Sequence, residues 1–214
     1  SLRMSTRIFN ILPSKPTWYV LRPFFNPASI QRVNSFNYFL SKIKGLKKNT
    51  MLYTEYNFMH NMIPDLKYVY RPHGFLEFQP LIPRKNGVHA VAEVFRLCQK
   101  YETQSLLCGV KAHKDDDYML SYSGDSYSIG IDIQLRGRSP EQINRFAKAL
   151  FKYTLEFGGK IFLAKDETLP RDVFERMFPR YKEFLGVRKS VDPFNLFKSD
   201  MYRRLLQPAC EFTN

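Results

Sequence analysis

The chain of 214 residues is 44% apolar and 25% charged, a composition typical of globular proteins that excludes disorder as the main state. No apolar run approaches the roughly 18 residues of a membrane-spanning helix, which excludes an integral membrane protein of the helical type. The net charge of +13 is unevenly distributed, because residues 1–50 hold nine Lys or Arg and no Asp or Glu. Such a basic segment attracts phosphate groups, and we expect its partner to be nucleic acid or anionic lipid.

The cysteines and histidines show no disulfide or metal pattern. Cys98, Cys108 and Cys210 are an odd number without C-x-x-C spacing, and the four histidines are scattered. We therefore expect neither a disulfide framework nor a metal site. Thiols stay reduced in the cytoplasm, so the sequence favours a cytoplasmic protein.

The first regular element that the sequence predicts is an amphipathic helix. Residues 4–26 contain three prolines, which forbid a long helix and favour an extended arm. Asn26 followed by Pro27 is a typical helix start, and lysines after residue 41 suit a helix end. Apolar residues between these signals recur at three- and four-residue spacing on one face. This apolar stripe consists of Ile30, Val33, Phe36, Phe39, Leu40 and Ile43.

From Phe75 onward the predicted elements alternate in the order β-α-β-β-α-β. Strict alternation of apolar and polar residues marks the third strand, and Gly158-Gly159 stops the second helix. The helices are predicted to start at Asn86 and at Ser139. The predicted strands cover residues 75–81, 106–111, 127–135 and 160–164.

This order of elements is that of a split βαβ unit. We therefore expect an α+β fold, in which an antiparallel sheet carries helices on one face and a helical C-terminal tail follows. The expected parts are a basic arm with its amphipathic helix over 1–50, a domain over 51–165 and the tail over 166–214.

One face of the predicted sheet is polar in every strand. Two lysines, a carboxylate, an amide and small side chains suit the wall of a polar ligand pocket, and the alternative is a solvated face. Residues 127–135 lack the aromatic run of an RNA-recognition strand, so we expect no sequence-specific RNA binding. Alternation places Glu77, Gln79, Lys111, Ser128, Gly130 and Asp132 on this face, and the last strand leads to Lys165.

The C-terminal part of the chain carries a family resemblance. It contains GGKIFLAKD (158–166), FERMFPRYKEFLGVRKSVDP (174–193) and a closing F-x-S-D-x-x-R-R pattern (197–204). In these segments the chain resembles flavin-dependent oxidases of the vanillyl-alcohol-oxidase type. Among them it is most similar to the decaprenylphosphoryl-β-D-ribose oxidase group and the neighbouring D-arabinono-1,4-lactone oxidases. GFLEFQPLIP (74–83) resembles that group's substrate-domain strand, so the resemblance covers most of the chain.

The resemblance implies an FAD enzyme of which this chain is one part. Members of the family hold FAD mostly in an N-terminal domain with a Gly-rich pyrophosphate loop, and these 214 residues contain no such segment. The chain would be the substrate (cap) domain and tail of an oxidase acting on a secondary alcohol of a sugar, sugar lactone or polyprenyl-phospho-sugar. Its partners would be the missing FAD-binding domain and that substrate, and alone it should be colourless and inactive.

The resemblance also implies catalytic and cofactor-binding residues. The lysine of the family's A-K-D motif lies by the flavin and the substrate, and here it is Lys165, preceded by Ala164. The aromatic residue three positions before that lysine approaches the cofactor; here it is Phe162, where relatives often have Tyr. The lysine of the second strand reaches the substrate, and here it is Lys111.

Four further positions are implied to bind substrate. Relatives usually have two glutamines on the first strand, where this chain has Glu77 and Gln79. On the third strand, relatives near the mycobacterial enzyme have Asn and Cys two positions apart, where this chain has Ser128 and Gly130. We therefore expect a changed pattern of contacts to substrate hydroxyls and no thiol-dependent behaviour.

These residue types suit the oxidation of a secondary alcohol to a ketone. The reaction removes a hydride from carbon and a proton from the hydroxyl group. A lysine ammonium can stabilise the developing alkoxide, or a desolvated lysine amine can take the proton. Gln79 and Glu77 can hold sugar hydroxyls and so fix which C–H bond faces the flavin. The alternatives for Lys165 are a salt bridge with Asp166 and a solvated side chain without a role in the reaction.

The basic helix leaves a second function open. A helix with Phe36, Phe39 and Ile43 on one face can lie on anionic lipid, at the inner membrane surface. The chain would then be a non-catalytic binding module for anionic surfaces. The other interpretation is that this helix packs on the missing flavin domain or on its own sheet.

Overall fold

The computed structural model describes residues 7–8, 12–13, 18–19, 22–44, 66–105 and 108–207. Two compact units divide the chain: Ser1–Phe75 with Gln134–Arg136, and Leu76–Ile133 with Gly137–Asn214. Most of the predicted arm, the end of the lysine cluster and the first two residues of the predicted second strand lie outside the described residues.

Among the residues that the structure describes, the first unit contains two short paired strands and one long helix. Strands β1 (Arg7–Ile8) and β2 (Leu12–Pro13) pair antiparallel. Helix α1 spans Pro27–Lys44, and Asn26 caps it as predicted, because its Oδ1 accepts a hydrogen bond from the Ser29 amide at 3.0 Å. Trp18 and Val69 form a small buried cluster, against which Phe25 and Tyr68 pack.

The second unit contains an antiparallel sheet, apart from the strand-end residues Phe75 and Gln134. Its strand segments are β3 (Phe75–Phe78), β4 (Pro80–Pro83), β5 (Cys108–His113), β6 (Ser126–Gln134) and β7 (Lys160–Ile161). β6 pairs with β5, with β3 and with β4, and β7 pairs with β4. Since β3 and β4 follow each other directly in the chain, the order across the sheet is that of a split βαβ unit, and the predicted α+β fold is confirmed.

Two long helices bury one face of this sheet. They are α2 (Gly87–Lys100) and α3 (Pro140–Glu156), and Ser139 caps α3 by accepting from the Gln142 amide. The alternating apolar residues of β6 point to this side, where Ile129, Ile131 and Ile133 are fully buried. Burying them removes most of the apolar area of the strand from water, which stabilises the unit.

The C-terminal tail is helical, as predicted. It consists of α4 (Arg171–Met177), α5 (Tyr181–Val191) and a last helical turn at Tyr202–Leu206. None of the helices in the described residues is both long enough and apolar enough to span a bilayer.

The structure corrects the predicted bounds at several places: the first strand is interrupted at Gln79, and the second continues to His113. The fourth strand ends at Ile161 rather than at Ala164, and Leu163–Lys165 forms a 3-10 turn. This turn is closed by hydrogen bonds from the Lys165 amide to the Phe162 carbonyl and from the Asp166 amide to the Leu163 carbonyl. Asn86 precedes α2 but does not cap it, because its amide donates to the Phe157 carbonyl instead.

The glycine pair behind α3 lets β7 lie against β4. Gly158 ends the helix in the left-handed region, with φ at +67°. A Cβ at Gly159 would overlap the Leu81 carbonyl oxygen and approach Thr154 Cγ2 to 2.9 Å. Only glycine therefore permits the close backbone approach that delivers the turn carrying Lys165.

Candidate functional site

An ion pair marks the polar face of the sheet. Lys165 Nζ donates to Oε1 of Glu77, which lies on β3, and the two side chains are 34% and 24% exposed. A Cβ at Gly130 on β6 would lie 3.5 Å from the same Glu77 oxygen, so glycine leaves space beside the pair. Lys165, Glu77 and Gly130 are thus brought together at a place that a ligand can reach.

The alternative partner of Lys165 is excluded in this structure. The Asp166 carboxylate is buried and pairs with Arg204 at 3.1 Å. The Arg204 guanidinium also donates to the backbone oxygens of Leu169 and Asp166. The Asp166–Arg204 pair therefore holds the C-terminal tail against the turn. Lys165 is left to pair with Glu77 on the polar face.

A second group of polar side chains lies deeper in the sheet. Gln79 Nε2 donates to Ser128 Oγ at 3.3 Å, and His113 Nε2 lies 2.8 Å from the same oxygen. Ser128 has no exposed surface, so its hydroxyl group is enclosed by protein. Gln79 and Ser128, which were expected to contact substrate separately, bond to each other here, and His113 is an addition that the sequence did not indicate.

The polar face is partly roofed by the loop over residues 114–124. The Tyr122 hydroxyl donates to the Gln79 carbonyl at 3.3 Å, and the Lys160 ammonium donates to the Ser121 carbonyl at 2.9 Å. The ring of Tyr122 contacts that of Phe162, with centroids 4.7 Å apart. The alternative of a solvated face therefore does not apply around Ser128, because the loop covers it through contacts between residues distant in the chain.

An open groove of about 560 Å³ lies between this loop and the tail. Most of its wall is apolar or aromatic, and Phe162 forms one edge. Among the residues that line it are His113, Tyr118, Leu120, Tyr122, Phe162 and Phe184. The sequence held one signal for this groove, the apolar run Tyr118-Met119-Leu120 inside an otherwise polar loop.

The remaining predicted residues lie nearby but in different settings. Lys111 is directly opposite Ser128 in the pairing of β5 with β6, and its side chain is exposed. No carboxylate among the described residues lies within ion-pairing distance of its ammonium group. Ala164 is exposed in the 3-10 turn between Phe162 and Lys165.

Two ionisable groups of the deeper cluster are shifted by their surroundings. Burial lowers the pKa of His113 from its ordinary value, and the Lys111 ammonium lowers it further. Burial raises the pKa of the Tyr122 phenol well above its usual range. Both side chains are therefore uncharged at neutral pH and can act as hydrogen-bonding groups.

Comparison with known proteins identifies the family. The model of a family described as D-arabinono-1,4-lactone oxidase matches residues 69–205, which include the whole polar face and most of the tail. The chain belongs to the D-arabinono-1,4-lactone oxidase family. The resemblance seen in the sequence is confirmed, and membership in this family of FAD-linked oxidases implies FAD as the cofactor.

The relatives that this chain matches are considerably longer than the chain itself. The decaprenylphosphoryl-beta-D-ribose oxidase of Mycolicibacterium smegmatis is 29% identical over 146 residues, 68% of this chain and 31% of the relative. An uncharacterised protein from the mprA 5′ region of Streptomyces coelicolor is 26% identical over 86 residues, 40% of this chain and 23% of the relative. The aligned part of the chain thus spans less than a third of the length of either relative.

Proposed function

We propose that this chain is the substrate-binding half of an FAD-dependent oxidoreductase, which oxidises a secondary alcohol of a sugar, sugar lactone or polyprenyl-phospho-sugar. The observation that carries the proposal is the Lys165–Glu77 pair on the polar face of a lactone-oxidase domain. A hydroxyl-rich substrate needs donors and acceptors at close quarters, and this face supplies an ammonium, a carboxylate and an exposed second lysine, Lys111.

The pair can stabilise the negative charge on the oxygen and accept the hydroxyl proton when an alcohol becomes a ketone. As hydride leaves the carbon, the hydroxyl group must lose its proton, and negative charge develops on its oxygen. The Lys165 ammonium stabilises that oxygen, and the adjacent Glu77 carboxylate accepts the proton. The space beside Gly130 allows the alcohol to lie against both groups.

The segment from Phe162 to Lys165 fits a flavin. Phe162 offers a half-buried aromatic ring, and Ala164 places only a methyl group in the exposed turn. Lys165 supplies a positive charge that is 34% exposed. These three residues would hold the cofactor on this side, and bound FAD would supply the acceptor for the hydride.

A patch on the tail supports a further domain as the partner. Val191, Phe194, Leu196 and Phe197, here called the tail patch, are between 74% and 82% exposed. Contiguous exposed apolar side chains usually mark a surface that another protein part covers. Because the chain matches only 31% of its mycobacterial relative, we assign the tail patch to the FAD-binding domain that the relative's remaining length would provide.

The test combines this chain with that domain. We expect the DNA upstream of the coding segment to encode an FAD-binding domain, in frame or adjacent. Co-expression of the two parts should give a yellow assembly whose flavin is reduced by D-arabinono-1,4-lactone or by a related sugar substrate. The chain alone should be colourless. The absence of a flavin-type reading frame, or an assembly that no sugar alcohol reduces, would contradict the proposal.

A second candidate function is favoured by the exposure of α1. Val33, Phe36, Phe39 and Ile43 are between 54% and 66% exposed, so these four members of the apolar stripe are uncovered in this structure. We propose that α1 binds an anionic lipid surface, at the inner face of the membrane. Exposed aromatic side chains favour lipid over nucleic acid here, because they can enter the boundary between headgroups and acyl chains.

Vesicle binding tests this candidate. The chain should sediment with phosphatidylglycerol vesicles but not with phosphatidylcholine vesicles, and the binding should weaken steeply as salt rises. Each lysine near the surface contributes about 1 kcal/mol, so Lys42→Gln with Lys44→Gln should weaken binding about 30-fold. The matched control is Lys148→Gln with Lys152→Gln on α3. Equal binding to both vesicle types excludes the function.

A further inference from the structure

The buried pair of Gln79 and Ser128 lies too deep to meet a substrate directly. Ser128 has no exposed surface, and Gln79 is only 7% exposed. His113 connects this pair to the open groove, because its side chain lines the groove and approaches Ser128 Oγ to 2.8 Å. A change at His113 therefore reaches the pair and the groove together.

We propose that His113 is a positioning residue of this site. Its neutral ring accepts a hydrogen bond from the Ser128 hydroxyl group, and protonation of the ring reverses the direction of that hydrogen bond. The proposal rests on the proposed function for the identity of the substrate. It does not rest on that function for the hydrogen bond itself.

The tautomer of His113 sets the direction of this hydrogen bond, because either ring nitrogen can carry the proton of the neutral ring. The Ser128 oxygen accepts from Gln79, and a hydroxyl group has one proton to donate. In the neutral state we assign that proton to His113 Nε2. A protonated imidazole donates from both nitrogens, so Nε2 must then donate to Ser128, and the hydroxyl proton must turn away, toward Tyr122. The Tyr122 hydroxyl donates to the Gln79 carbonyl, and Gln79 donates to Ser128, so the change reaches both the roof loop and the amide.

The charged and titratable groups around the ring favour its neutral form. Burial and the Lys111 ammonium on β5 lower the pKa of His113 below the value of 6.5 that an unperturbed histidine has. Tyr122 faces the ring from the loop, with ring centroids 5.5 Å apart. The Glu77 carboxylate on β3 helps to raise the pKa of Tyr122 and so keeps the phenol neutral. Below pH 6.5 the unfolded chain binds more protons at this position than the folded chain, so stability falls as the pH drops through that range.

The first measurement uses the 214-residue chain alone. Long-range ¹H–¹⁵N spectra report which ring nitrogen carries the proton, and His113→Gln assigns the signals. At pH 8 we expect the His113 proton on Nδ1, with Nε2 unprotonated, and Ser128→Ala should shift the Nε2 signal. A neutral ring with its proton on Nε2 would overturn the proposal, whatever the activity of the protein.

The second measurement uses the assembly of this chain with an FAD-binding domain. His113→Phe keeps an aromatic ring beside Tyr122 but removes the hydrogen bond, so kcat/KM for D-arabinono-1,4-lactone should fall about tenfold, mostly through KM. The acid limb of its pH profile should flatten. His113→Gln should restore most of the activity without the pH dependence, and His89→Phe on the exposed side of α2 should change neither.

The two proposals fail in different ways. An unchanged acid limb in His113→Phe would overturn the role of His113 while the oxidase function stands. An assembly that oxidises no sugar alcohol would overturn the proposed function, and the spectra of the chain alone would then decide whether His113 controls Ser128.

Discussion

Replacing Lys165 with alanine should lower kcat for oxidation of the substrate's secondary alcohol by about 100- to 1,000-fold in the assembly with an FAD-binding domain. The ammonium group is the positive charge that meets the alkoxide as it forms, and alanine leaves only the Glu77 carboxylate, which repels that charge. The measurement is the rate of flavin reduction by D-arabinono-1,4-lactone in stopped flow, which separates the chemical step from reoxidation.

Two variants separate charge from shape in this experiment. Lys165→Arg keeps the positive charge but changes the geometry of donation, so its rate should lie between those of wild type and Lys165→Ala. Lys152→Ala is the matched control, because this lysine also pairs with a glutamate but is exposed on α3. If Lys165→Ala retained a fifth or more of the wild-type rate, the catalytic role of Lys165 would be excluded.

Replacing Arg204 with alanine should destabilise the chain by about 3 kcal/mol. The change leaves the Asp166 carboxylate, of which 1% is exposed, without its charged partner, and the Leu169 carbonyl loses a hydrogen bond of 2.6 Å. Urea denaturation followed by circular dichroism at 222 nm measures the loss. Tryptophan fluorescence is unsuitable, because the single tryptophan, Trp18, lies in the other unit.

The neighbouring residue provides the control. Arg203 also pairs with an aspartate, at 2.8 Å, but Asp200 is fully exposed. Surface pairs of this kind contribute little, so Arg203→Ala should change the free energy of unfolding by less than about 0.5 kcal/mol. Equal effects of the two substitutions would show that Arg204 does not anchor the tail through a buried charge.

The polar face of the sheet could be predicted from the alternation of residues along the strands, but its covering loop could not. Glu77 and Gln79 share a face because successive side chains of a strand point to opposite sides, and this holds for any sheet. The sequence therefore placed the polar residues on the face away from the helices. It could not indicate that Ser128 is enclosed, because the covering loop is held by Lys160 and Tyr122 through contacts between residues distant in the chain.

His113 and Tyr122 show why part of the site escaped sequence reasoning. A single histidine at the end of a strand carries no periodic signal, and the loop after it is dominated by charged and small residues. Only the pairing of β5 with β6 puts His113 on the same face as Ser128. The run Tyr118-Met119-Leu120 was the available hint that this loop covers an apolar surface.

The sequence by itself determined the order of strands and helices, the division of the sheet into an apolar and a polar face, and the family. These features depend on local periodicity, on helix and strand signals and on contiguous motifs, which are properties of short stretches of chain. The tertiary structure decided that Lys165 pairs with Glu77 rather than with its neighbour Asp166, and that the fourth strand gives way to a turn. Lys165 and Glu77 are 88 positions apart, and the register of the strands between them, together with the buried Asp166–Arg204 pair, selects one partner over the other.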